Sequence, residues 1–189
     1  MKITEFFNRE QYILSMNRKD QYPKPQSVDA TPKHAQLHCV PAAAGHWPDI
    51  ARIWEQVGPP LRPSAQDIAF LNDVISSWVR DNGAPRALIL GVTPELYHLP
   101  WPNGTDLLAV DHTQSMIDAV WPGPRTAVIC ADWTTMPLQT GSRDIVLCDG
   151  GVNLLEYPHE HLQFVQILHR VIASDGLCIL RLFIPPKER

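Results

Sequence analysis

Residues 86–111 read RALILGVTPELYHLPWPNGTDLLAVD, and the fold turns on this stretch. ALILG (87–91) is a short apolar run closed by a glycine, and DLLAVD (106–111) is a second run closed by an acid. Neither alternates apolar with polar residues. Each is therefore expected to be a strand buried on both faces, as in a parallel sheet covered by helices. Residues 93–99 between them are expected to be helical, with Thr93 as cap and Pro94 in the first turn. The stretch thus reads as one strand, helix, strand unit.

The same pattern continues downstream. TAVICAD (126–132), DIVLCDG (144–150) and GLCILRLF (176–183) are further apolar runs. Helices are expected at 113–120 and 158–172, the second with Leu162, Val165, Leu168 and Ile172 as its apolar stripe and Ser174-Asp175-Gly176 as its end. Five strands alternating with helices imply an α/β fold with a doubly wound, mainly parallel sheet and helices on both faces.

Upstream, two leading helices are expected within 46–82. Pro48 suits the first turn of one, and Ser64 with Asp67 resembles a capping box opening the other, which Asn82-Gly83 closes. Residues 1–45 contain Pro23, Pro25, Pro32 and Pro41 and read as an arm or linker, with Ile3, Phe6, Phe7, Ile13 and Leu14 on one side of a short helix. The expected organisation is an arm at 1–45 and one domain at 46–189, its sheet core at 86–184.

Sixteen basic and 20 acidic residues give a net charge of −4 without a long single-sign run, which excludes the basic footprint of a nucleic-acid binder. No apolar run approaches a signal-peptide core or a membrane span. Cys39, Cys130, Cys148 and Cys178 form neither a CxxC pair nor a disulfide framework, so a reducing cytoplasm is expected and the last three are expected to be core residues. His159, His161 and His169 lack the second cluster that a metal site needs, so no metal is expected.

In an open α/β sheet, ligands bind beyond the carboxyl ends of the strands, so the residues after each strand carry the chemistry. Gly91-Val92-Thr93 allows close backbone approach to a ligand. Asp111 lies 20 residues after Gly91, the spacing at which a carboxylate reaches the ribose hydroxyls of an adenosine ligand. It also reads as a cap of the following helix. Asp132 suits an adenine amino group or a turn, and Trp133 offers an aromatic face. Asp149-Gly150-Gly151 puts small residues at the fourth strand tip, which leaves room for a ligand.

Taken in order, LILGVTPEL, AVDHTQSMI, ADWTTMPL, RDIVLCDGG and ASDGLCILRLF resemble the motifs of class I S-adenosylmethionine-dependent methyltransferases, over about residues 86–183. The resemblance implies a Rossmann-like sheet of order 3-2-1-4-5 and S-adenosyl-L-methionine as cofactor. It implies that Gly91 with Val92 and Thr93 holds the methionine part, Asp111 the ribose and Asp132 the adenine amino group. His112, Met116, Trp133, Asp149 and Gly150 complete the candidate cofactor contacts.

The first motif here has one glycine and no acid, where the family has an acid and three glycines. Nothing follows the fifth strand to supply the last two of the family's seven, so the chain is expected to be truncated or to dimerise through that open edge or the arm. The expected function is methyl transfer to a small-molecule acceptor, with no catalytic residue assigned. One rival is a degenerate, non-catalytic scaffold. The other is an NAD-binding oxidoreductase, disfavoured because Val92, Pro94 and Glu95 occupy the stretch where a pyrophosphate needs G-x-G-x-x-G.

Overall fold

A computed structural model describes residues 45–183 and, for backbone pairing alone, residues 2–8 and 11–17. Five strands form the parallel core: β3 (Arg86–Leu90), β4 (Asp106–Asp111), β5 (Val128–Cys130), β6 (Arg143–Asp149) and β7 (Ile172–Phe183). They lie in the order β5-β4-β3-β6-β7, the expected 3-2-1-4-5. The short helices α3 (Pro94–Tyr97) and α4 (Gln114–Val120) and the longer α5 (His159–Val171) connect them, after two leading helices, α1 (Trp47–Ile53) and α2 (Ala65–Asn82).

The apolar runs are explained by two cores, one on each face. Ile89, Ala109, Ile145, Leu147 and Ile179 pack beneath α2, α3 and α4, whereas Leu88, Leu90, Val110, Val146 and Cys178 pack beneath α5. Alternate residues of one strand thus serve opposite cores, and neither face of the sheet is given over to solvent. The capping box of α2 is present: Asp67 N–H donates to Ser64 Oγ at 3.2 Å, and Ser64 N–H to Asp67 Oδ2 at 2.8 Å.

Three expectations are corrected. Residues 3–14 are not helical: β1 (Lys2–Asn8) and β2 (Gln11–Asn17) form a hairpin, and β2 pairs antiparallel with β7 from Gln11↔Phe183 to Asn17↔Leu177. The edge of β7 is therefore covered by this chain's own hairpin, which fills the place of the two missing strands and removes the basis for dimerisation through that edge. The physical reason is that β-branched and aromatic residues suit a pleated strand, and the ladder of β7 offers them bonds that an isolated short helix lacks.

The second correction concerns the phase of α5. Phe164, Leu168 and Val171 face the core, while Leu162 and Val165 are 62% and 56% exposed. Phe164 buries more apolar area than either, so the i, i+4, i+7 stripe containing it prevails. α5 also ends at Val171, and β7 starts at once. Residues 173–176 form an irregularity against β6, whose register jumps from Arg143↔Ile172 to Ile145↔Leu177.

The third concerns the cysteines. Cys130 is disulfide-bonded rather than an unlinked core thiol, while Cys148 and Cys178 are free and buried. Cys39 lies outside the described residues.

Candidate cofactor site at the strand tips

The carboxyl ends of β3, β4 and β5 are joined by hydrogen bonds. Gly91 N–H donates to Val110 O at 2.9 Å, Trp133 Nε1 to the same carbonyl at 2.7 Å, and Ala131 N–H to Asp111 O at 2.9 Å. Positions 91, 111 and 132 thus stand side by side. Gly91 has φ +101°, where side-chain-bearing residues are strained, although a Cβ would meet nothing nearer than Trp133 Cζ2 at 4.0 Å. Conformation rather than crowding requires glycine here. Val92 and Thr93 behind it are buried, and Thr93 is the N-cap residue of α3 without a side-chain cap bond.

Asp111 is buried, and its Oδ1 accepts from Thr113 N–H at 2.7 Å. This is a turn ahead of α4 and not a cap, because the N-cap residue of α4 is Thr113 and no side chain caps that helix. A carboxylate has about four lone-pair sites, and the remaining capacity suits a pair of hydroxyl donors. Burial pushes the Asp111 carboxyl above its ordinary value, opposed by the Thr113 N–H bond and by nearby His112, whose Nδ1 is 3.9 Å from Oδ1. Asp132 is half-buried, and its Oδ1 accepts from Thr134 N–H at 2.7 Å and from Thr134 Oγ1 at 2.6 Å.

Four other candidates sit differently from a simple ligand wall. Met116 packs with Ile117 and Val120 in the core beneath α4. Trp133 is buried, with its ring 6.2 Å from that of Phe164. The room at the two glycines is occupied by aromatic rings: a Cβ on Gly151 would lie 2.3 Å from Trp133 Cη2, and one on Gly150 would lie 2.6 Å from Phe183 Cε2. Space expected for donor and acceptor is thus filled by side chains of the chain itself. Asp149 is paired with buried Arg181.

Arg181 is the residue the sequence reading missed, together with the role of Arg62 and Glu95. Its side chain is 3% exposed, its Nε bonds Asp149 Oδ1, and its Nη1 donates to Pro60 O at 2.8 Å. The guanidinium also lies 5.1 Å over the Phe183 ring. Burial raises the Asp149 carboxyl above its ordinary value, Arg181 opposes the rise, and the carboxylates of Glu95 and Asp67 add to it. A single arginine within the apolar run GLCILRLF was the available signal, since a charge inside a buried strand needs a partner.

A second ion pair stands beside the first. Arg62 Nε and Nη2 both approach Glu95 Oε1 at 2.7 Å, and Arg62 Nη1 donates to Trp54 O at 3.1 Å and Val57 O at 3.3 Å. Glu95 Oε2 is enclosed without a hydrogen-bond partner. Leaving such an acceptor unpaired costs about 1–3 kcal/mol. Residues 54–62, between α1 and α2, are thereby strapped over the tips of β6 and β7. Beneath them a cavity of about 10 Å³, lined by Leu71, Leu96, Leu147, Asp149 and Arg181 among others, has room for roughly one water.

Residues 88–180 match the family model described as a methyltransferase domain. This match supports a class I S-adenosylmethionine-dependent methyltransferase family for that segment, and the cofactor such a family implies is S-adenosyl-L-methionine.

Among solved structures, the chain is similar to the sugar N-methyltransferase KedS8 of Streptoalloteichus sp. (19% identity, TM-score 0.55, covering 73% of this chain and 55% of that one). It is also similar to a protein of Methanococcus maripaludis assigned as an S-adenosyl-L-methionine-dependent methyltransferase (14% identity, TM-score 0.52, covering 70% and 62%). At these identities the likeness is one of fold, and the chain spans little more than half of the longer relative. No curated protein matches it significantly.

The chemistry of the residues at the tips of β3 to β5 is compatible with this cofactor. Gly91 leaves its backbone open to close approach, and Asp111 holds a buried carboxylate with acceptor capacity to spare.

Proposed function

We propose that this domain binds S-adenosylmethionine across the tips of β3, β4 and β5 and directs methyl transfer to a small-molecule acceptor. The observation that carries the reading is the juxtaposition of Gly91, at φ +101°, with the buried carboxylate of Asp111 through the Val110 carbonyl. The cofactor supplies a sulfonium-bound methyl group for in-line transfer to a nucleophile.

The chain's own part is to bind and orient. Gly91, Val92 and Thr93 would hold the methionine part, Asp111 the ribose hydroxyls, and Asp132 the adenine amino group, with His112 exposed enough at its ring to border the ligand. Burial of Asp111 strengthens its hydrogen bonds to the ribose, because few waters compete. Such a reaction needs positioning more than a dedicated base, so no residue is given a catalytic role.

The test is calorimetry with S-adenosylhomocysteine and NAD in parallel. Binding of the first and not the second supports the proposal, and preference for NAD rejects it. The degenerate scaffold has its own support, since Asp149, Gly150 and Gly151 are engaged by Arg181, Phe183 and Trp133. Failure to bind either ligand favours that alternative.

We place the domain in the cytoplasm on composition, and no helix among the described residues is long and apolar enough to cross a membrane.

A further inference from the structure

Asparagine followed by glycine occurs twice in the chain, at Asn82-Gly83 and Asn103-Gly104, and both asparagines are exposed. The pairing has a chemical consequence. The backbone nitrogen of the following residue can attack an asparagine side-chain amide, and glycine, with no Cβ, leaves that approach open. Since both sites are open to water, hydrogen bonding decides which of them is held back.

Asn82 is the last residue of α2, and its Nδ2 donates to Trp78 O at 2.8 Å. The Gly83 N–H, on the nitrogen that would attack, donates to Val79 O at 2.8 Å. Both reacting groups are engaged, so freeing them requires the last turn of α2 to open. Asn103-Gly104 is held differently. The two residues form the middle of a turn closed by Thr105 N–H to Pro102 O at 3.1 Å and braced by Thr105 Oγ1 to the same oxygen at 2.8 Å. Gly104 has φ +91°, which suits the second central residue of a type II turn. Among the described residues, neither the Asn103 amide nor the Gly104 N–H has a hydrogen-bond partner.

We propose that Asn103 is a site of spontaneous deamidation, a covalent modification encoded by this turn. Gly104 N attacks Asn103 Cγ: the N–Cγ bond forms, the Cγ–Nδ2 bond breaks, and the amide nitrogen leaves as ammonia with the proton given up by Gly104 N. Water then opens the five-membered imide at one of its two carbonyls. Opening at the side-chain carbonyl leaves aspartate. Opening at the main-chain carbonyl leaves isoaspartate, whose backbone runs through the former side chain and is one atom longer. The sum is one water consumed, one ammonia released and one negative charge gained, with no oxidant or reductant.

The turn stands at the amino end of β4, away from Asp111 at its other end. Asp106 N–H, three residues on, donates to Pro85 O at 3.0 Å, just ahead of the first β3–β4 partners, Arg86↔Asp106. An extra backbone atom at 103 therefore disturbs the entry into this strand pair, and the new charge stands in solvent, where it costs little.

The experiment ages the purified full chain in mildly alkaline buffer, with charge variants followed by ion exchange and located by peptide mass spectrometry. Asn82 is the internal control. The expected result is a more acidic variant whose mass gain of about 1 Da falls on the peptide holding Asn103, as aspartate and isoaspartate together. Asn103 should convert at least about tenfold faster than Asn82, whose two hydrogen bonds must first open. Asn103→Gln should not form this variant. Conversion of both asparagines at equal rates, conversion of Asn82 first, or an Asn103 amide intact while other residues acidify overturns the proposal. So does an Asn103→Gln chain that acidifies as fast as wild type. If Asn103→Gln does not fold, the wild-type peptide map decides by the same criteria.

Discussion

Replacing Arg181 by Met tests the polar cluster at the tips of β6 and β7. Both partners of this ion pair are nearly withdrawn from solvent, with side chains 3% and 5% exposed. Removing the guanidinium strands the Asp149 carboxylate in the interior, takes a donor from Pro60 O and removes the cation over Phe183. Breaking a buried pair from one side costs about 3–5 kcal/mol. For a chain of this size that corresponds to roughly 6–20 °C in melting temperature.

The loss carries a sign in pH. Burial already holds the Asp149 carboxyl above its ordinary value, and without Arg181 it rises further. An acid whose folded pKa is raised favours the folded state while protonated and loses that contribution as pH rises toward the folded value. The deficit of Arg181→Met should therefore be larger at pH 8 than at pH 5.5 in denaturant titrations followed by tryptophan fluorescence. Asp149→Asn added to Arg181→Met should recover part of it at pH 8. As a control, Arg125→Ala removes an ion pair with Asp118 whose side chains are 56% and 48% exposed, and should shift stability by less than about 0.5 kcal/mol. A deficit below about 1 kcal/mol for Arg181→Met, or one independent of pH, refutes the reasoning.

Asp111→Ala should weaken S-adenosylhomocysteine binding by about 1.5–3 kcal/mol in calorimetry, and unchanged affinity removes Asp111 from the site. Because burial raises this carboxyl, wild-type affinity should be full above the raised value and decline as pH falls through it, beginning higher than for an exposed aspartate. Gly151→Ala places a Cβ 2.3 Å from Trp133 Cη2 and should cost about 1–3 kcal/mol by overpacking, with a change in tryptophan emission as the Nε1 bond to Val110 is disturbed. Deleting residues 1–17 uncovers the edge of β7 and should produce association in sedimentation velocity; a monodisperse monomer counts against the hairpin's covering role. Leu162→Lys and Val165→Lys should change stability by no more than about 0.5 kcal/mol, whereas Phe164→Ala should cost about 3–5 kcal/mol in thermal melts.

The core sheet was legible because its signal is redundant. Each run from ALILG to GLCILRLF is mainly apolar, and β-α-β alternation admits few topologies. Strand tips were legible for a related reason: in such a sheet the residue after each strand is fixed in place by the strand itself, so Gly91, Asp111 and Asp132 needed only their order to be placed together.

What escaped the sequence depends on contacts between distant segments. The hairpin at 2–17 pairs with a strand more than 150 residues away, and nothing local distinguishes its apolar residues from one face of a helix. The phase of α5 was missed because two apolar stripes overlap on it, and the competition is settled by how Phe164 packs against the ring of Trp133.

The glycines at 150 and 151 show the same limit at the site. Small residues at a strand tip indicate that something large lies against them, yet the sequence does not say whether it is a ligand or an aromatic ring of the chain. Here Phe183 and Trp133 take that space. The loop after β3 carries an acid four residues beyond its glycine, Glu95, and it is anchored by Arg62 of the leading strap. That acid is already engaged by an arginine, so binding of S-adenosylhomocysteine by the tips of β3 to β5 is what separates a working cofactor site from a scaffold built on the same sheet.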